Sequence, residues 1–130
     1  MPDKLERILY LEDDPWISEI VLFALEEFSS LRVVHCDNGK SAIDAVKEFP
    51  PQLCLFDVML PDMTGPETFL RIREMPEYKD IPVIFMTAKA QRHEVEHYLE
   101  LGALDVIRKP FDPVTLGEQI NSIWEKSGAR

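Results

Sequence analysis

Residues 53–66, with the sequence LCLFDVMLPDMTGP, contain the pattern that decides the fold. The first five residues form a short apolar run that ends at Asp57, and a loop rich in turn-forming residues follows. A continuous apolar run of this length, bounded by turn residues, is typical of a strand that is buried on both faces. Helical spacing of apolar residues then begins at Phe69 and ends before Pro76. The segment therefore predicts one βα unit.

The same alternation extends over the rest of the chain. Apolar runs predict strands at residues 7–12, 31–36, 53–57, 81–87 and 104–108. A helical pattern follows each strand, and these patterns begin at Asp13-Asp14-Pro15, after Asp37-Asn38-Gly39, near Phe69, near Gln91 and at Asp112-Pro113. Successive βα units predict an α/β protein with a doubly wound parallel sheet that helices cover on both faces. We expect the two tryptophans, Trp16 and Trp124, to be packing residues.

Length and composition favour one domain over residues 1–130, with a core at about residues 4–125. The net charge of −10 disfavours direct binding to nucleic acids or to anionic membranes, because both need a cationic protein face. Cys36 and Cys54 lie in apolar segments, so we expect buried free thiols and a reducing compartment. No long apolar run predicts a signal peptide or a membrane span, and we therefore expect a cytoplasmic location.

Polar residues follow the predicted strands at their carboxyl ends. Glu12 and Asp13 end the first strand, Asp57 the third and Thr87 the fourth, while the fifth leads into Lys109. If the first and third strands are neighbours, as open α/β sheets favour, three carboxylates converge on one crevice. Carboxylates without histidine or cysteine nearby suit a hard cation such as Mg²⁺. A lysine and a hydroxyl group close by suit an incoming phosphoryl group.

Asp57 is the natural nucleophile of this set, because it ends a buried strand and is therefore rigidly placed. A carboxylate can attack phosphorus and form an aspartyl phosphate. Glu12 and Asp13 are the natural ligands for the cation. The simpler interpretations are a surface aspartate at position 57 and acidic residues that complement the dipole of the first helix.

At these residues the sequence resembles the receiver domain of two-component response regulators, the CheY-like family. The resemblance covers about residues 4–125 and rests on four motifs in the expected order. They are residues 9–15 (LYLEDDP), residues 56–65 (FDVMLPDMTG), residues 81–88 (IPVIFMTA), and Gly102-Ala103 followed by Lys109-Pro110-Phe111.

The resemblance implies a flavodoxin-like (βα)₅ fold with strand order 2-1-3-4-5. It implies that Mg²⁺, or Mn²⁺, is held by Asp13, Asp57 and the main-chain carbonyl of Met59, with Glu12 acting mainly through water. It also implies roles around the phosphoryl group on Asp57. The Thr87 hydroxyl and the main-chain amide of Ala88 would bind its oxygens, and the Lys109 side chain would pair with it. The peptide bond between Lys109 and Pro110 would be cis.

The resemblance further implies the partners. A histidine kinase or a histidine-phosphotransfer protein would donate the phosphoryl group. Phosphorylation would change the surface of the last two βα units, which would regulate a separate downstream protein or pass the phosphoryl group on. Two departures from the family are evident: Glu12 replaces the usual aspartate, and Val106 replaces the aromatic residue that normally turns inward as Thr87 moves.

Residues 93–97 (HEVEH) match the zinc metalloprotease motif and need a separate interpretation. Val95 and Leu99 form the apolar stripe of the predicted helix, which places His93 and His97 on its solvent-exposed face. A protease would need both histidines in a cleft with a third ligand. We therefore expect no metalloprotease activity.

Two further alternatives share parts of the proposed site. A phosphatase of the haloacid dehalogenase type also uses a strand-end aspartate, but it needs a second aspartate where this chain has Met59. A binding module that has lost phosphorylation would not need Asp13, Asp57, Thr87 and Lys109 together. We therefore expect a signalling phosphoacceptor, which is not an enzyme beyond assisting its own phosphorylation and dephosphorylation.

Overall fold

The structure is a computed structural model that describes residues 4–128. Its strands are β1 (Arg7–Leu11), β2 (Arg32–Cys36), β3 (Leu53–Asp57), β4 (Val83–Thr87) and β5 (Asp105–Arg108). Its helices are α1 (Pro15–Ser29), α2 (Gly39–Glu48), α3 (Gly65–Arg73), α4 (Arg92–Glu100) and α5 (Leu116–Ser127), and a 3₁₀ turn at Pro76–Tyr78 follows α3. Each predicted strand and helix is present, although several begin or end at a different residue.

Within residues 4–128, five strands form one parallel sheet in the order β2-β1-β3-β4-β5. The predicted flavodoxin-like order 2-1-3-4-5 is thereby confirmed. β1 and β3 are neighbours, with Leu11 opposite Phe56, so their carboxyl ends lie side by side. The strand order reverses at this point, which opens a crevice beyond the strand ends.

Helices pack on both faces of the sheet. α1 and α5 cover one face, where Tyr10, Leu55 and Trp124 are fully buried. α2, α3 and the half-buried Tyr98 of α4 cover the other, where Phe56 and Phe85 are fully buried. Burying a side chain of this kind contributes about 1.5–3 kcal/mol. Because every residue of β3 and β4 is buried, the residues at the ends of these strands are held rigidly.

Cys36 and Cys54 are both buried and free of disulfide bonds, as predicted. None of the helices described between residues 4 and 128 is both long enough and apolar enough to cross a membrane.

The packing prediction for Trp16 is wrong. Its side chain is 79% exposed, and Ile20 and Phe23 on the same helix are also exposed, whereas Trp124 is buried as expected. α1 carries apolar residues on more than one face, so periodicity alone could not determine which of them faces the sheet. We call Trp16, Ile20 and Phe23 the α1 apolar surface.

The predicted start of α5 is also wrong. Asp112 does not cap the helix; its side chain accepts a hydrogen bond from the Val114 amide at 3.0 Å and forms a turn. The helix begins four residues later, at Leu116. Val114 therefore precedes the helix and is exposed. Leu99, which was predicted in the apolar stripe of α4, is exposed against expectation.

Candidate functional site

Three carboxylates lie together at the carboxyl edge of the sheet. Glu12, Asp13 and Asp57 each offer one oxygen atom, and these atoms all lie within 4.8 Å of one another. Glu12 and Asp57 are buried, whereas Asp13 is exposed. The amide of Glu12 donates to the Cys36 carbonyl at 3.0 Å, which extends the β1–β2 ladder by one residue and fixes the start of the cluster.

Lys109 connects two of these carboxylates. Its ammonium nitrogen donates to Oε1 of Glu12 at 2.7 Å and to Oδ1 of Asp57 at 3.0 Å. The main-chain amide of Lys109 donates to the Thr87 carbonyl at 2.9 Å, so β4 positions the residue. The peptide bond between Lys109 and Pro110 is cis, as the resemblance implied.

Burial and the contacts within the cluster shift the pKa values of Glu12 and Lys109. Burial raises the pKa of Glu12 above its ordinary value, and the charge of Asp57 adds to this effect, although hydrogen bonds from Lys109 and the Asp14 amide oppose it. Burial alone would lower the pKa of Lys109, but its hydrogen bonds to Glu12 and Asp57 outweigh burial and raise it. Lys109 therefore stays a cation in this site.

The residues present fit a hard divalent cation. The three carboxylates offer only oxygen ligands, which Mg²⁺ and Mn²⁺ accept. The single positive charge of Lys109 offsets one of their three negative charges. The net charge of −2 that remains matches a divalent cation. Met59, whose carbonyl was expected to join them, lies two residues after Asp57 in a loop that bridges back to Thr64.

Thr87 is the last residue of β4, and Ala88 follows it. The Thr87 hydroxyl accepts a hydrogen bond from the Lys89 amide at 3.0 Å, so in this structure it faces its own loop. Ala88 is exposed and lines a cavity of about 400 Å³ together with Lys109 and Pro110. The structure thus brings Ala88 next to Lys109, while the Thr87 hydroxyl is bonded to neither Asp57 nor Lys109.

Three contacts around the site were not predicted from the sequence. Arg108 donates to the Ala90 carbonyl at 2.8 Å and ties β5 to the loop between β4 and α4. Asp62 accepts from the amides of Gly39 at 2.8 Å and Lys40 at 3.0 Å, at the start of α2. Hydrogen bonds from these two amides lower the pKa of Asp62.

Gly65 is the third unpredicted feature. A Cβ atom at this position would collide with the carbonyl oxygen of Asp57, and the Gly65 amide donates to the Val58 carbonyl at 2.7 Å. Only glycine allows this approach. The glycine of the motif in residues 56–65 was the available signal, but its contact with Asp57 needed the path of the loop.

The sequence of the chain agrees with this geometry. Residues 8–121 match the family model described as the response regulator receiver domain. The chain belongs to this family. It is 34% identical to the phosphate regulon transcriptional regulatory protein PhoB of Escherichia coli over 120 residues, which are 92% of this chain and 52% of that protein. The chain therefore spans about half the length of this curated relative.

Solved receiver structures show the same fold. A CheY-like receiver domain protein from Methanospirillum hungatei is 28% identical, with a TM-score of 0.80 over 94% of this chain and 95% of that one. The chemotaxis protein CheY4 of Vibrio cholerae has a TM-score of 0.83 at 24% identity, over 92% of this chain and 98% of that one. Receiver domains are signalling phosphoacceptors that bind Mg²⁺ at an acidic pocket, and this chain has such a cluster.

Two sequence features outside the cluster can now be placed. His93 and His97 of α4 are both exposed, as predicted from the apolar stripe. Val106 is half-buried and lies opposite Phe85 in the sheet. The ring of Tyr98 on α4 packs on Phe85 with centroids 5.3 Å apart.

Proposed function

We propose that Asp57 accepts a phosphoryl group and that the chain, as one receiver domain, transmits this change to a separate protein. The observation that carries the proposal is the placement of Asp57. It ends a strand that is buried throughout, and Lys109 holds its Oδ1 atom beside Glu12 and Asp13. A strand end of this kind gives the nucleophile a fixed position and leaves little chemistry to the protein beyond positioning and charge neutralisation.

The reaction that this site supports is transfer from a phosphohistidine. An oxygen of the Asp57 carboxylate forms a bond to phosphorus while the phosphorus–nitrogen bond breaks. The electron pair of that bond goes to the histidine nitrogen, which takes up a proton. Lys109, already 3.0 Å from Asp57, is placed to pair with the phosphoryl oxygens.

In this proposal Asp13, Asp57 and the Met59 carbonyl hold Mg²⁺, or Mn²⁺, and Glu12 acts on the ion mainly through water. When bound, the ion would neutralise part of the negative charge of the carboxylates and of the phosphoryl group. The charge and donor set of the cluster support this assignment.

The change at Asp57 would reach the surface through the loop that follows β4. Phosphorylation gives the site about −1.5 to −2 charge and three strong acceptor oxygens. The Thr87 hydroxyl would leave the Lys89 amide and donate to one oxygen, and the Ala88 amide would donate to another. The loop between β4 and α4 would then shift relative to Arg108, and α4 and β5 would present a changed surface to the downstream partner.

The donor is a protein that carries a phosphohistidine, either a histidine kinase or a phosphotransfer protein. Such a donor must bring its phosphorus to Asp57, so its surface must also cover the rim of the crevice. That rim is apolar, because Ile17, Ile20, Pro110 and Phe111 line the cavity that contains Lys109. The α1 apolar surface continues from this cavity and leaves Trp16 exposed where a partner would cover it. We further propose that the protein acts in the cytoplasm. We also propose that it is a phosphoacceptor and does not turn over a substrate.

Incubation with a small phosphodonor such as acetyl phosphate and Mg²⁺, followed by intact mass spectrometry, tests the chemistry. Wild-type protein should gain the mass of one phosphoryl group, and omission of the divalent cation should prevent the gain. Asp57→Asn should gain no mass, whereas Asp44→Asn, at an exposed position of α2, should behave as wild type. No added phosphate on wild type, or equal labelling of Asp57→Asn, would contradict the proposal.

A further inference from the structure

His93 and His97 lie four residues apart on α4, and the proposed function uses neither of them. Both side chains are exposed. The helix is regular at this point, since the Leu101 amide donates to the His97 carbonyl at 3.1 Å. Residues four apart in a helix lie on the same face, with Cβ atoms about 5–6 Å apart. The two imidazole rings are therefore neighbours on one strip of the protein surface.

A second pair on α4 shows that side chains at this spacing reach one another. Nε of Arg92 donates to Oε1 of Glu96 at 3.2 Å, although both side chains are exposed. His93 and His97 have the same spacing, one residue further along the helix. Imidazole nitrogens that come together in this way suit Zn²⁺, which binds nitrogen at about 2.0–2.1 Å. Two histidines at this spacing on a helix are also the pair with which zinc metalloproteases hold their metal.

The charges on α4 favour a cation beside this pair. The helix contains three glutamates, Glu94, Glu96 and Glu100, and a single arginine, Arg92. Glu100 is exposed and follows His97 by three residues, so it lies on the same face of the helix. The whole chain has a net charge of −10. Electrostatic attraction would therefore raise the concentration of divalent cations near the two imidazole rings.

The histidine pair suits a different metal from the one that fits the carboxylate cluster. Imidazole nitrogen is a good ligand for Zn²⁺, Ni²⁺ and Cu²⁺, whereas Mg²⁺ prefers oxygen. Among residues 4–128 the pair belongs to no preformed group of three ligands, so water would fill the other positions around the ion. Because both rings lie on an open surface rather than in a cleft, this arrangement suits metal binding and not proteolysis.

We propose that His93 and His97 bind one divalent transition-metal ion, of the class of Zn²⁺, Ni²⁺ and Cu²⁺, on the surface of α4. The ion joins two successive turns of the helix. It stabilises the helical form of α4, because an unfolded segment does not hold the two rings together. The proposal does not depend on phosphorylation of Asp57. α4 is also part of the surface that the proposed function assigns to the downstream partner, so the ion would lie at that interface.

Titration of the whole chain with Zn²⁺, in excess Mg²⁺ to occupy the carboxylate cluster, tests the site. His93→Gln and His97→Gln should each bind Zn²⁺ about tenfold or more weakly than wild type, since even groups that only support a metal ligand contribute about 10-fold to 100-fold. His35→Gln, which removes the third histidine of the chain, is the matched control and should bind as wild type. Equal affinity in wild type and in both α4 variants would overturn the proposal.

A spacing variant separates this site from a general affinity of surface histidines for metals. His97→Gln combined with Leu99→His keeps the number of histidines at three. It places the second imidazole six residues after His93, which is about 120° away around the helix. Leu99 is 42% exposed, so the core is not disturbed. Zn²⁺ affinity should fall as far as in His97→Gln alone, and wild-type affinity in the double variant would contradict a site that depends on the spacing.

Two measurements on wild-type protein locate the ion and its effect on the helix. Zn²⁺ should shift the NMR signals of the His93 and His97 rings, which the single variants assign. Amide hydrogen exchange in α4 should slow about tenfold when free Zn²⁺ is ten times its dissociation constant, because only the helical form binds the ion. Unshifted signals from both rings, or unchanged exchange in α4, would overturn the inference. Neither result bears on the phosphorylation of Asp57, which is tested separately by mass.

Discussion

The ammonium nitrogen of Lys109 lies 2.7 Å from Oε1 of Glu12, a carboxylate that is almost fully buried. The same nitrogen is 3.0 Å from Asp57, so one cation serves two negative groups in the resting site. A phosphoryl group on Asp57 would compete for this cation directly. We therefore expect the ion pair between Glu12 and Lys109 to influence how readily Asp57 accepts a phosphoryl group.

Glu12→Gln removes the negative charge that competes with Asp57 for Lys109. It also removes a carboxylate of the proposed Mg²⁺ site. We expect Mg²⁺ affinity to fall about 10-fold to 100-fold, the range for groups that act through a metal-bound water. Stability should change little or rise, because a buried charge is removed and the amide oxygen can still accept from Lys109. Titration with Mg²⁺ and urea unfolding measure the two effects. Glu19→Gln, on an exposed face of α1, should change neither, and an unaltered Mg²⁺ affinity in Glu12→Gln would exclude Glu12 from the ion site.

Gly65→Ala places a methyl group against the carbonyl oxygen of Asp57. The loop or the end of β3 must shift to relieve the collision, so we expect a loss of about 1–3 kcal/mol in the free energy of unfolding. Phosphorylation by acetyl phosphate should also slow, because the nucleophile moves with its main chain. Ser122→Ala, at an exposed position of α5, is the control for both measurements. A stable variant that is phosphorylated at the normal rate would show that the close contact between Gly65 and the Asp57 carbonyl is unimportant.

Asp62→Asn should weaken the start of α2 in a pH-dependent way. The pKa of Asp62 is lowered by hydrogen bonds from the Gly39 and Lys40 amides, so its carboxylate stabilises the folded state above the ordinary pKa of 3.8. That contribution is lost as the pH falls through the lower folded-state pKa. Because the group is exposed, the variant should lose less than about 1 kcal/mol at neutral pH. Urea unfolding from neutral to acidic pH should show the difference from wild type shrinking below pH 3.8, and a constant difference would contradict this account.

Arg108→Gln should loosen the loop between β4 and α4. Without the guanidinium group, the Ala90 carbonyl loses a charged hydrogen-bond donor at 2.8 Å. We expect amide hydrogen exchange in this loop to become about tenfold faster, because such a bond contributes about 1.5 kcal/mol or more. Arg92→Gln removes a different arginine, which pairs with Glu96 on the surface of α4, and should leave exchange in the loop unchanged. The same increase in both variants would show that Arg108 has no special role.

Trp16→Ser tests the docking surface separately from the chemistry. Labelling by acetyl phosphate should be unchanged, since Trp16 belongs to neither the carboxylate cluster nor the Lys109 contacts. Transfer from a phosphohistidine protein should slow about tenfold or more at low donor concentration, as expected for an aromatic residue at the centre of an interface. Leu70→Ser, which removes an exposed apolar side chain from α3, should not affect either reaction. Equal transfer rates in the two variants would remove α1 from the docking surface.

The sheet and the carboxylate cluster could be predicted from the sequence because they depend on local patterns and on one topological rule. Apolar runs marked the strands, and the adjacency of β1 and β3 placed Glu12 next to Asp57. The cis peptide bond between Lys109 and Pro110 was predicted only from the family resemblance, since nothing in the residues themselves requires it.

The remaining features depend on the path of the main chain in three dimensions. Arg108 reaches Ala90 across 18 positions in the sequence, and Asp62 reaches Gly39 across 23. Neither pair has a periodicity that would reveal it. The prediction for Trp16 failed for a different reason. α1 has more apolar residues than the sheet can cover, and only the packed structure shows which of them stay exposed.

The α1 apolar surface also bears on how copies of the protein behave towards one another. Three large apolar side chains in water would favour self-association, yet each copy carries a net charge of −10. We expect mutual repulsion to oppose this association at low ionic strength and to weaken as salt shortens the range of electrostatic forces to about 10 Å at 0.1 M. The acidic composition would thus oppose self-association through the α1 apolar surface. That surface would stay accessible to a partner with fewer negative charges.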